Sequence, residues 1–84
     1  MEKPDYLQPN LDEQESFLFY ILRIIKFGSD LERRVIYDEK SVRLKLLNWG
    51  FIRYFTENQL YLELTEKGLY RFFQLQEKIK GNSD

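Results

Sequence analysis

The stretch Gly50-Phe51-Ile52-Arg53-Tyr54-Phe55, then Thr56-Glu57-Asn58-Gln59, then Leu60-Tyr61-Leu62-Glu63-Leu64-Thr65-Glu66-Lys67-Gly68 decides the fold. A glycine at position 50 can adopt positive φ, so the chain can leave a helix there and enter a strand at once. Phe51, Ile52, Tyr54 and Phe55 are the aromatic and branched residues that favour a strand. Leu60, Leu62 and Leu64 alternate with Tyr61 and Glu63 as in a strand buried on one face. Thr56 to Gln59 joins the two as a tight hairpin turn, and Thr65 caps the helix that follows. Gly68 falls inside that helix, where it costs up to about 1 kcal/mol against alanine. Its expected role is close approach to another element, since a single glycine is no phosphate-binding loop.

Upstream, Pro4 and Pro9 and the lack of hydrophobic periodicity predict an extended arm over residues 1–10. Asn10-Leu11-Asp12-Glu13 reads as an N-cap with a carboxylate three residues on. The first helix then runs to about Phe27, with Gly28 as a left-handed cap. Its Phe17, Leu18, Ile21, Ile24 and Ile25 share a face, while Phe19, Tyr20 and Leu22 make the opposite side apolar too, which predicts a central helix. Ser29-Asp30-Leu31-Glu32 is a second capping box and opens a helix from Asp30 to Ile36. Asp38 is positioned to cap a third, Glu39 to Trp49, whose core face is Val42, Leu46 and Trp49. Downstream of Thr65, Leu69, Phe72, Phe73, Gln76 and Ile79 share one face; Lys78 and Lys80 lie in the last turn, and Gly81 stops the helix. A single domain over residues 11–80 and a frayed tail at 81–84 follow.

At 84 residues there is room for one core, and an aromatic content of 17% compensates for the small buried fraction of so short a chain. Cysteine and histidine are both absent. That removes disulfides, thiolate nucleophiles, zinc-thiolate sites and the commonest general base and metal ligand. The expectation is a protein that is not an enzyme and carries no cofactor or metal. The apolar run from Phe17 to Leu22 is far shorter than the roughly 20 residues needed to span a bilayer, and the N-terminus lacks a basic signal-peptide start. A cytoplasmic protein with no membrane partner is expected.

The net charge of -1 hides an uneven distribution. Residues 1–16 carry one lysine against five acids, whereas Arg23 to Arg53 holds eight basic residues against four acidic ones. The cations concentrate in the middle, where the second and third helices are expected.

The order helix, helix, helix, hairpin, helix resembles the winged-helix superfamily. Leu64-Thr65-Glu66-Lys67-Gly68-Leu69 is similar to the segment that closes the wing in small PadR-like and MarR-like regulators. Leu46-Leu47-Asn48-Trp49-Gly50-Phe51-Ile52 resembles the exit of their recognition helix. The resemblance covers about a quarter of the chain and implies an α+β winged helix with three N-terminal helices, a two-stranded β-hairpin wing and a C-terminal helix. It also implies that the third helix enters the major groove of double-stranded DNA and that the terminal helices build a homodimer. Carried onto this chain, Lys40, Arg43, Lys45 and Asn48 become the outward polar residues. Arg43 is expected to read a guanine edge with its planar fork. Lys40 and Lys45 would neutralise phosphates, with Arg33, Arg34 and Arg53 as flanking backbone contacts. Leu69, Phe72, Phe73 and Ile79 are the expected dimer or partner interface.

The first reading is therefore a DNA-binding protein, a transcriptional regulator acting by site occupancy as a homodimer. The alternative is a winged-helix module that binds protein and not DNA. Glu57 at the wing tip, Asp38-Glu39 at the start of the third helix, the near-zero net charge and the surplus of aromatics favour that alternative. Leu44 and Leu47, off the Val42 face, leave open that the third helix is packed on two sides and that its cations form a generic basic face without base contact by Arg43. Trp49 is expected to plug the core, and Tyr54 and Tyr61 to be surface aromatics that sit against DNA or at a dimer seam.

Overall fold

The computed structural model describes residues 6–55 and 58–81, with the side chains of 58–61 left out. Its elements run α1 (Glu13–Phe27), α2 (Asp30–Asp38), α3 (Lys40–Trp49), β1 (Ile52–Phe55), β2 (Asn58–Leu64) and α4 (Glu66–Lys80). This is the α+β layout expected from the sequence: three helices, an antiparallel hairpin and a closing helix. Of the expected turn residues, Thr56 and Glu57 lie outside the described residues, as do 1–5 and 82–84, while Asn58 and Gln59 belong to β2, where Asn58 pairs with Phe55.

The hairpin pairs Ile52 with Leu64, Arg53 with Glu63 and Tyr54 with Leu62, and its register shifts between Tyr54 and Phe55. Ile52 and Leu62 point into the core while Arg53 faces outward, as the two-residue period requires. Both ends of the hairpin are clamped. At α3, Gly50 has φ of 80°, its N–H donates to the Leu47 carbonyl at 3.1 Å, and the Phe51 N–H donates to the Leu46 carbonyl at 3.0 Å. That is a Schellman ending, which needs the left-handed residue. At α4, the Thr65 hydroxyl donates to the Gly50 carbonyl and accepts the Gly68 N–H at 3.0 Å, tying the helix start to the hairpin entry. A Cβ on Gly68 would lie 2.0 Å from the Phe51 carbonyl oxygen, so the expected close approach is present.

The core has two parts, both built on α1. Ile21 and Ile25 pack with Ile36, Leu46, Ile52 and Leu62. Phe19 and Leu22 pack with Phe72 and Leu75, the Phe19 and Phe72 rings stacked with centroids 5.1 Å apart. Leu18, Phe51 and Leu64 touch both. A helix that is apolar on two sides is thus buried on two sides, as its sequence predicts.

Several local expectations are corrected. The cap of α1 is Asp12, not Asn10: the Glu15 N–H donates to Asp12 Oδ1 at 2.7 Å and the Asp12 N–H to Glu15 Oε1 at 3.2 Å. Asn10 instead adopts φ of 68° and donates its side-chain amide to the Ile79 carbonyl at 3.2 Å, bracing the end of α4. The described part of the arm is not extended away from the domain. Tyr6 packs on Phe17 and Tyr20 at 5.4 and 5.8 Å, and the Gln8 N–H donates to Ser16 Oγ at 3.1 Å. Gly28 ends α1 in an extended conformation, φ -74°, because Ser29 must follow directly as the cap of α2. Asp38 does not cap α3. It is the last residue of α2, and Glu39, the one residue between the two helices, is the N-cap of α3 with no side-chain cap bond.

Candidate nucleic-acid interface

The outer surface of α3 carries Lys40, Ser41, Leu44, Lys45 and Asn48, all exposed, with Leu47 half-buried, and Ser41 and Lys45 stand at its edge towards α1. They reach solvent because Val42 and Leu46, one helical turn apart, take the face that meets the core. Neither Lys40 nor Lys45 has an ion-pair partner among the described residues.

The arginines are arranged differently. Arg43 does not project outward: its Nη1 donates to the Tyr37 carbonyl at 2.6 Å, and its guanidinium carbon lies 4.5 Å from the centroid of the Tyr37 ring. Tyr37 in turn meets Tyr54 edge-on at 6.2 Å, so β1, α2 and α3 are joined by a row of Tyr54, Tyr37 and Arg43. In this position the fork of Arg43 closes the turn between α2 and α3 and is not presented to a base. Its Nε is buried without a hydrogen-bond partner among the described residues.

Arg33 donates to Asp30 at 2.5 Å and to the Gly28 carbonyl at 2.7 Å. Arg53 pairs across the hairpin with Glu63 at 2.6 Å, and Arg34 lies 3.9 Å from Asp38. Arg34 and Arg53 stand on surface pairs, which exchange readily with solvent and with a stronger anion, whereas Arg33 is half-buried and held by a carbonyl as well.

One cation of this region is missing from the sequence reading. Lys67 extends over the exit of α3: its Nζ is 5.6 Å from the Phe51 ring and its Cδ lies within 4 Å of the space above Gly50. It shares a shallow depression with Asn48, Trp49 and Arg71. The signal was present, since Lys67 sits in the quoted motif, but only the folded hairpin brings residue 67 beside residue 48.

Trp49 is corrected from core plug to rim residue. It is 47% exposed and meets Phe51 edge-on at 6.0 Å. It stands between two open hollows, one shared with the start of α1 and the other with Lys67 and Arg71 of α4, so no element closes over the indole. Among the expected interface residues of α4, Phe72 is 2% exposed and belongs to the core, which removes it from any docking surface. Leu69 and Ile79 are half-buried, and Ile79 packs on the same core part as Phe72. Phe73 alone of the four is well exposed, at 47%. Tyr61 lies among residues whose side chains are not described.

Two carboxylates are held below the usual range. Hydrogen bonding from Lys78 at 2.6 Å is the main cause at Glu15, with the Asp12 N–H second and Arg71 adding a weaker attraction. At Glu32 it is the Ser29 N–H at 2.9 Å. Both are structural: one fastens α1 to α4, the other caps α2. No cluster of three potential metal-ligating residues occurs among the described residues, and no described helix is long and apolar enough to cross a membrane. Comparison of the chain with known protein families, with characterised proteins and with solved structures returns no match.

Proposed function

We propose that this chain is a winged-helix protein that binds double-stranded DNA through α3, acting as a homodimeric transcriptional regulator by site occupancy. The observation that carries the reading is the outer face of α3, where Lys40 and Lys45 stand exposed and unpaired among the described residues on the helix that precedes the hairpin. Asn48 on the same face can hydrogen-bond a base or phosphate, and Lys67 continues the positive surface past the end of the helix. Arg43 supports the surface by holding the turn before α3. The reading therefore rests on lysine contacts to phosphate, which give affinity without strong sequence preference.

A homodimer suits the outer side of α4. Phe27 and Phe73 both contact the Phe72 ring, at 6.0 and 5.5 Å, and both are exposed, with Tyr70 exposed beside them on α4. A second copy seated there would cover this aromatic surface.

Gel shift against random-sequence duplex at two salt concentrations tests the DNA reading. Affinity is expected to fall steeply with salt. Lys40→Ala with Lys45→Ala should lower the slope of log affinity against log salt by about two, equally for unrelated sequences. Failure to retain duplex at low salt would overturn it. One observation favours binding of a protein by the same face instead: Leu44, 48% exposed, stands in its centre. In that case Leu44→Ala removes binding of the partner and the two lysine changes do not.

A further inference from the structure

On the side of α1 away from α4, a groove runs between α1 and the α2–α3 pair. It consists of two joined hollows of about 680 and 440 Å³, which share Phe17, Ile21 and Val42. The floor is apolar, formed by Ile21, Ile24, Val42 and Leu46. The walls hold apolar groups that are partly exposed: Phe17 and Tyr20 on α1, with the Tyr6 ring of the arm against both, Val35 on α2 and Trp49 on α3. Along α1 the groove extends from Glu13 to Ile24, about 18 Å, which is the length of roughly three helical turns. Its rim is mainly acidic. Glu13, Glu32 and Glu39 line it, all exposed, against one cation among the described residues, Lys45. Glu13 and Glu39 have no ion-pair partner among the described residues, and the Ser29 N–H holds the Glu32 carboxyl below its ordinary value.

We propose that this groove is a docking site for a basic amphipathic helix of another protein. Length, apolar floor and rim charge each select that occupant. A helix of three to four turns lays anchors at i, i+3 or i+4 and i+7 into such a trough. Lysines or arginines flanking those anchors would meet the three carboxylates, which steer encounter and discriminate against acidic helices. Lys45 stands at the edge shared with the outer face of α3, so a helix seated here would lie next to the proposed DNA face without occupying it.

The chain's single tryptophan, Trp49, lines the groove and reports on it directly. The probes are two designed amphipathic peptides of about four turns, one of leucine and lysine, the other of leucine and glutamate. The lysine peptide should shift Trp49 emission saturably and the glutamate peptide should leave it unchanged. Tyr20→Ala with Val35→Gln, outside both core parts although Tyr20 also meets Tyr6 of the arm, should weaken binding by about tenfold or more. Glu13→Lys with Glu39→Lys should exchange the preference between the two peptides, with helical circular dichroism confirming the fold of each variant. Equal binding of both peptides, no emission change with either, or unchanged affinity in the Tyr20 and Val35 variant would overturn the proposal. So would two other occupants: residues 1–5, if deleting them alone moves Trp49 emission, or a second copy, if the Tyr20 and Val35 changes convert a dimer to a monomer in sedimentation.

Discussion

Arg43 and Lys45 are two residues apart on α3, yet one is folded onto Tyr37 and the other stands in solvent. The difference is geometric. Arg43 lies on the side of α3 that turns towards the last turn of α2, where a carbonyl and a ring offer its planar fork two contacts at once. The same divergence separates Phe72 from Phe73, adjacent on α4, of which the first is stacked on Phe19 and the second is exposed. Phe72→Ala should therefore cost about 3–5 kcal/mol in urea unfolding, whereas Phe73→Ala should change monomer stability by about 0.5 kcal/mol or less. Gly68→Ala should cost about 2 kcal/mol or more by the same measurement, because its methyl group would meet the backbone of Phe51 and not a side chain that can swing away.

The element most exposed to pH is the junction of α1 and α4. Glu15 caps α1 through Asp12 and binds Lys78 of α4, and both contacts hold its carboxyl below the ordinary carboxylate value. A group whose folded pKa is depressed contributes stability above the unfolded pKa and loses it as pH falls through the folded one. Thermal melts of the wild type should thus decline as pH drops from the usual carboxylate range downward. In Glu15→Gln the neutral-pH stability should be lower and that part of the decline absent; an identical profile in the two proteins would exclude the junction as its source. Capping itself was legible at α2 and α4, where Ser29 with Glu32 and Thr65 act as expected. At α1 and α3 the expected caps were displaced. Asn10 was recruited by the end of α4, and α2 continues through Asp38, contexts that no local pattern contains.

In the whole molecule, α1 is the shared wall of both core parts, which leaves the outer side of α4 and the groove beside α2 and α3 as separate apolar surfaces. Sedimentation across concentration tests the dimer proposed for the first of these. A mass that rises with concentration and returns to the monomer in Phe27→Ala with Phe73→Ala is expected, and a strictly monomeric wild type would remove that interface. Periodicity, capping boxes and the glycines at 50 and 68 determined the element order, the hairpin and the central place of α1, because these depend on spacing within a few residues of chain. Which cations stay free, which aromatic is core or rim, and that Lys67 lies beside Asn48 were decided only by the tertiary structure. Each depends on what a distant segment places opposite a side chain, and spacing along the chain does not encode that neighbour.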